Sequence, residues 1–130
     1  MEERGKVDAA PALRDVRILI VEDDFLIAME LEAVLEDAGA EIVGLCRTVE
    51  EALALAGQNQ LTVAILDVRL GREEVTPVAG LLAERGTPFV FYTGQVDVRS
   101  LHAKWPGRRI IQKPAHPNVI IQALADQLRR

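Results

Sequence analysis

A single cysteine, Cys46, means that no internal disulfide braces this chain, so its stability has to come from an apolar core, as suits a reducing compartment. No apolar run approaches the 18 or so residues of a membrane span. Met1 to Asp15 also lacks the apolar segment of a signal peptide, and the expected location is the cytosol. Positive charge is short as well: a net charge of −5 argues against DNA or RNA binding driven by electrostatics in this chain. Lysine is scarcer still, since twelve of the fifteen basic residues are Arg and the lysines are Lys6, Lys104 and Lys113 alone. The two histidines, His102 and His116, have no metal-ligand spacing. No glycine-rich turn follows the first strand-like run, which sets aside a dinucleotide site. Internal repeats and low-complexity stretches are missing too.

What remains is an ordinary globular composition, 49% hydrophobic and 27% charged over 130 residues, which fits one domain with one core. Residues 1–15 read as a polar, disordered leader and 16–130 as the folded domain. Within the latter, short β-branched or aromatic runs alternate with segments of helical period. The runs are Val16–Val21, Glu41–Leu45, Leu61–Leu66, Phe89–Tyr92 and Arg109–Gln112. The first helix carries Ile27, Leu31, Val34, Leu35 and Ala38 inward and stops at Gly39. Thr48 and Glu51 have capping-box spacing before the second, and Thr76-Pro77 reads as cap and first-turn proline of the third. The pattern from Val98 to Trp105 is weak, so the fourth helix is expected to be short or mobile, with Trp105 packed against it. Pro117 opens a last helix with Ile121, Leu124, Ala125 and Leu128 on one face. Five such β-then-α units joined by right-handed crossovers make a doubly wound α/β fold, a parallel five-stranded sheet with helices on both sides.

In such a sheet the functional site lies outside the carboxyl ends of the strands, and that is where the unusual charges fall. Glu22-Asp23-Asp24 follows the first strand, Asp67 the third, Thr93-Gly94 the fourth and Lys113-Pro114 the fifth. Each is unremarkable alone: strand-end Asp residues cap helices or form turns, Thr-Gly is a common turn, and a lone Lys is normally solvated. Four of them on one edge have no such structural reason. Crowded carboxylates repel unless a cation sits among them, and a hard, all-oxygen set suits Mg²⁺. Asp67, alone at its strand end, is then available as a nucleophile toward phosphorus, with Lys113 and the Thr93 hydroxyl to hold oxygens of the transferred group.

These motifs resemble the receiver domains of two-component response regulators, the CheY-like, flavodoxin-like (βα)5 family, over Val16 to about Arg129. The resemblance implies that Asp67 is the phosphoacceptor, that Asp23 ligates Mg²⁺ directly with Glu22 helping through water, and that the backbone carbonyl of Arg69 completes the protein ligands. It assigns Thr93 as the switch hydroxyl, Lys113 as the phosphoryl-binding amine and Pro114 as a cis-proline. It also makes Arg69 and Gln95, two positions beyond Asp67 and Thr93, tuners of acyl-phosphate lifetime. The run Pro88 to Gly94 is similar to the FAT GUY subgroup, many of which are stand-alone regulators in alphaproteobacteria served by unconventional histidine kinases; here Tyr92 replaces the usual Ala and Gln95 the usual Gly or Tyr. The family implies a sensor histidine kinase as donor and a downstream protein as reader. Many members form homodimers through the fourth and fifth helices. The usual aromatic residue three positions before the lysine is Ile110 here, so rotation of a Tyr or Phe is not the readout, and a coupled change in Thr93, the following loop and the weak helix is offered as a substitute.

Two other readings stand beside the phosphoacceptor. One is a phosphorylation-independent pseudo-receiver, supported by Ile110 alone. The other is a small aspartyl-phosphate phosphohydrolase, for which an acid/base Asp would be wanted two residues after the nucleophile, where this chain has Arg69. The family reading implies no turnover beyond the domain's own phosphorylation and dephosphorylation.

Overall fold

Runs of Val, Ile, Leu and Phe that are apolar on both faces need cover on both faces, and the computed structural model, which describes residues 11–58, 60–94 and 97–129, supplies it. The strands are β1 (Arg17–Val21), β2 (Glu41–Cys46), β3 (Val63–Leu66), β4 (Phe89–Thr93) and β5 (Ile110–Gln112). They lie side by side in the order β2-β1-β3-β4-β5, and every neighbouring pair is parallel. The helices are α1 (Phe25–Asp37), α2 (Val49–Gln58), α3 (Thr76–Glu84), α4 (Val98–Lys104) and α5 (Pro117–Asp126). Alternation along each strand divides the core in two. Leu19, Val21, Ala64, Leu66, Phe89 and Phe91 face α2, α3 and α4, while Ile18, Ile20, Val63, Ile65, Val90, Tyr92 and Ile111 face α1 and α5. Among the described residues no helix is long and apolar enough to cross a membrane.

Local chemistry accounts for most helix ends. Asp24 caps α1 by accepting from the amides of Leu26 and Ile27, at 3.0 and 3.2 Å. Thr48 accepts from the Glu51 amide at 3.1 Å, but the returning Glu51 carboxylate takes the amide of Arg47, one residue short of a closed capping box. The expected cap at Thr76 does not form. Helix α3 starts at Thr76 itself, its preceding residue Val75 has no side-chain oxygen to offer, and the Thr76 hydroxyl turns to Glu74. Helix α4 is short, seven residues, capped by Asp97 and closed by Trp105, whose ring packs edge-on against Phe89 at 5.7 Å. In α5 Ile120, Ala123 and Leu124 are buried and the expected Ile121 and Ala125 pack half-buried beside them, while Leu128 lies past the helix end and is exposed. His116 is the α5 cap, accepting from the Asn118 amide through Nδ1.

The expected leader is wrong over its last residues. Residues 11–15 form a turn that places Leu13 in the core beneath α1, with its amide bonded to the Ala38 carbonyl at 2.9 Å. Gly39, at φ 104°, is required twice there: it ends α1, and a Cβ on it would lie 2.8 Å from Pro11 Cβ. A second unanticipated element is a hairpin between β3 and α3, with Arg69–Leu70 antiparallel to Glu73–Glu74 and Gly71 first in its two-residue turn. An amide bond from Val75 to the Val68 carbonyl, 2.8 Å, closes its base.

Candidate functional site

Because β1, β3, β4 and β5 run the same way, the residues that follow or end them meet at one edge of the sheet. Glu22 leaves β1 with its amide tied to the Cys46 carbonyl at 2.9 Å, and Asp67 leaves β3 with its amide tied to the Val21 carbonyl at 2.9 Å. Thr93 is the last residue of β4, and its carbonyl accepts from the Lys113 amide at 2.8 Å. Main-chain ladders therefore fix the bases of these four side chains before the side chains interact.

The side chains then converge on Asp67. Thr93 donates its hydroxyl to Asp67 Oδ1 at 3.0 Å, and Lys113 Nζ lies 2.9 Å from Asp67 Oδ2 and 2.8 Å from Glu22 Oε1. Glu22, Asp67 and Thr93 are buried, whereas Asp23 is half-buried. Carboxylate oxygens of Glu22, Asp23 and Asp67 all lie within 4.8 Å of one another. The Lys113–Pro114 peptide is cis. Arg69 sits on the hairpin with its guanidinium turned to Glu74, 3.7 Å away. The expected role of Gln95 falls outside the described residues.

One further contact ties the hairpin to the pocket. Gly71, at the hairpin turn, donates its amide to Asp23 Oδ2 at 2.7 Å, so the hairpin holds the more exposed acid in place. The only sequence signal for it is a glycine flanked by short apolar and charged pairs, enough to suggest a turn but not where the turn points.

Burial dominates the electrostatics of Glu22 and pushes its carboxyl up to about 7, with the nearby Asp67 charge adding to the effect and Lys113 and the Asp24 amide working against it. For Lys113, burial disfavours the ammonium, but contacts with Glu22 and Asp67 outweigh it and hold the amine above its ordinary range. Glu22 Oε1 is buried without an aligned hydrogen bond even though the ammonium is close. An under-satisfied buried oxygen within a three-carboxylate set is a fit for a hard divalent cation such as Mg²⁺, with Glu22, Asp23 and Asp67 as the residues to hold it.

The raised Glu22 value has a sign that can be tested. Between about 4.5, the ordinary value, and about 7, the native chain keeps a proton that the unfolded chain releases, so metal-free stability falls as pH rises through that window and levels off above it. The loss should be on the order of 2–3 kcal/mol, and Glu22→Gln should flatten the profile. Stabilisation by added Mg²⁺ should run the opposite way, growing as Glu22 ionises. Urea unfolding at pH 5, 6, 7 and 8, with and without Mg²⁺, checks both slopes, and a native profile as flat as that of Glu22→Gln counts against the assignment.

The family model of the response regulator receiver domain matches residues 18–125. The phyllosphere-induced regulator PhyR of Methylorubrum extorquens is 36% identical over 132 aligned positions, which take in 95% of this chain and 48% of that protein. The solution structure of SdrG from Sphingomonas melonis Fr1 is similar at 45% identity and a TM-score of 0.74, covering 90% of this chain and 98% of that one. The crystal structure of the response regulator PhyR from Brucella abortus is similar at 29% identity and a TM-score of 0.74, covering 95% of this chain and 52% of that one. The chain spans about half the length of the curated relatives it matches.

Proposed function

Because this chain belongs to the response regulator receiver family, we propose that it is a phosphoacceptor switch, phosphorylated on Asp67 by a histidine kinase and read by a downstream protein. The observation that carries this reading is the pair of contacts from Thr93 and Lys113 onto the two oxygens of one carboxylate, beside two more acids. In the transfer, an oxygen of Asp67 attacks phosphorus, a P–O bond forms, and the bond from phosphorus to the donor nitrogen breaks with its electron pair leaving on the donor. Lys113 and Thr93 exchange their carboxylate contacts for phosphoryl oxygens, and burial of the site keeps water from competing. Mg²⁺ held by Glu22, Asp23, Asp67 and the Arg69 carbonyl would supply charge neutralisation on the transferred group. Arg69 and Gln95 would set how long the acyl phosphate lasts.

For the donor, α1 offers a surface: Phe25, Leu26 and Met29 are exposed on its first two turns, directly after the acidic pair, and Val119 is exposed at the start of α5. The affinity to the FAT GUY subgroup and the stand-alone role belong to the same reading. Its test is acid-quenched intact mass after incubation with acetyl phosphate. One added phosphoryl group with Mg²⁺, lost when the metal is chelated, supports it. No addition under either condition favours a pseudo-receiver.

The readout has to dispense with an aromatic at position 110. Ile110 is half-buried against the cluster that holds Phe89, Phe91 and Trp105. Replacement of the Thr93–Asp67 bond by a Thr93–phosphoryl contact pulls on the end of β4, and the segment that follows leads straight into the short α4. Amide exchange over 95–106 should therefore change on phosphorylation. Unchanged exchange there sinks this route.

A further inference from the structure

Strand order sets Lys113 a problem. It sits at the end of β5, at the sheet edge, while Asp67 ends β3 and Glu22 ends β1, so its stem has to cross the end of β4 to reach them. Neighbouring strands are about 4.8 Å apart, so a lysine stem makes the crossing only when nearly extended. A four-carbon stem has many other rotamers, most of which leave the ammonium in solvent. The two carboxylates draw the ammonium across, and a group at the end of β4 that meets it on the way would add to that preference.

The residues there are Tyr92 and Thr93. Thr93 points its hydroxyl at Asp67 and offers Lys113 only its carbonyl, to the backbone amide. Tyr92 is buried, and the Lys113 ammonium lies 5.6 Å from its ring centroid, within cation–π range. We propose that Tyr92 is a positioning residue for Lys113: the face of its ring holds the ammonium over the acidic pocket, where it meets Glu22 and Asp67 together. The contact stands on geometry alone, and its consequence for phosphoryl transfer rests on the phosphoacceptor reading. The same ring borders a cavity of about 420 Å³ between α1 and α5, lined by Ile27, Val34, Ala115 and Ile120. A side chain without a flat π face would therefore have room to settle away from the amine.

Two measurements separate the contact from its consequence. In the metal-free native chain, Lys113 side-chain ε-proton resonances should be shifted upfield by the ring; the shift should persist in Tyr92→Phe and vanish in Tyr92→Leu. Assignment is simple, since the sequence has three lysines and one tyrosine. With acetyl phosphate and Mg²⁺, Tyr92→Leu should be phosphorylated about tenfold more slowly, about 1.4 kcal/mol, with Tyr92→Phe close to native. Mg²⁺ affinity measured by calorimetry should stay within about twofold of native for both variants, a split that general loosening of the core would not produce. Should Tyr92→Leu fail to fold, Tyr92→Met, flexible and also without a π face, takes its place and should show the same loss. A native spectrum without the upfield shift overturns the contact. A Tyr92→Leu rate equal to native, or a Tyr92→Phe rate as low as Tyr92→Leu, overturns the consequence while the phosphoacceptor reading survives. If the native chain takes up no phosphoryl group, that reading falls and takes the consequence with it, whatever the resonances show.

Discussion

Asp67→Asn abolishes the gain of a phosphoryl group while leaving the fold in place. The substitution is close to isosteric, and the side-chain oxygen of asparagine can still accept from the Thr93 hydroxyl, which lies 3.0 Å from Asp67 Oδ1. What disappears is the anionic oxygen that would attack phosphorus. Loss of a nucleophile typically costs catalysis about 10³-fold or more, and uptake should drop below detection by intact mass. The change should not unfold the chain, because it removes one of three carboxylates whose oxygens lie within 4.8 Å of one another and so relieves repulsion in the metal-free state. Circular dichroism and thermal melting of the same samples keep loss of chemistry apart from loss of structure. A variant that gains the same labile mass as the native chain places the phosphoryl group elsewhere and ends the assignment of Asp67.

The second large effect belongs to Lys113. Lys113→Met keeps most of the apolar stem and removes the charge. It leaves Glu22, which is 1% exposed, facing Asp67 with no counter-ion. Removing one partner of a buried ion pair costs about 3–5 kcal/mol, and because the Lys113 side chain keeps 16% exposure the lower half of that range is expected. The cost should depend on pH with a definite sign. Burial already raises Glu22 to about 7, and without the ammonium it rises further, so at pH 5 the acid is protonated and the variant should lose little. At pH 8 the native Glu22 is largely ionised beside the ammonium, and the deficit should be larger than at pH 5. Added Mg²⁺ should recover much of it at pH 8 and little at pH 5. Urea midpoints under the four conditions decide the matter; equal native and variant midpoints at pH 8 without Mg²⁺ would mean that the pocket does not depend on its amine.

The sheet and most of the pocket were readable in the sequence because both depend on short-range signals. Ile18 to Val21 and Val63 to Leu66 are apolar on alternate and intervening positions alike, as a short strand covered on both faces requires, and a charged residue directly after such a run falls at the strand end. Tertiary detail was less accessible. Leu13 belongs to no periodic apolar run, and its burial follows from the docking of residues 11–15 beside Gly39. Thr76 has the right spacing for a cap, yet the hairpin delivers the chain into α3 one residue earlier than the spacing suggests. The Gly71–Asp23 bond and the Tyr92–Lys113 contact join positions far apart in the chain, so neither leaves a local pattern. Glu22 shows the same limit in electrostatic form: the sequence places an acid there, and only its packing reveals that the acid resists ionisation.

The placement of Lys113 on the outermost strand also bears on how the chain comes to be folded. During synthesis the three acids and the strands that carry them leave the ribosome long before the residue that balances them. A nascent chain that stops short of β5 holds an unneutralised cluster and lacks a partner for β4, so the last strand to emerge both completes the sheet and supplies the pocket's cation. Completion of the sheet and completion of the pocket's charge balance are then one event.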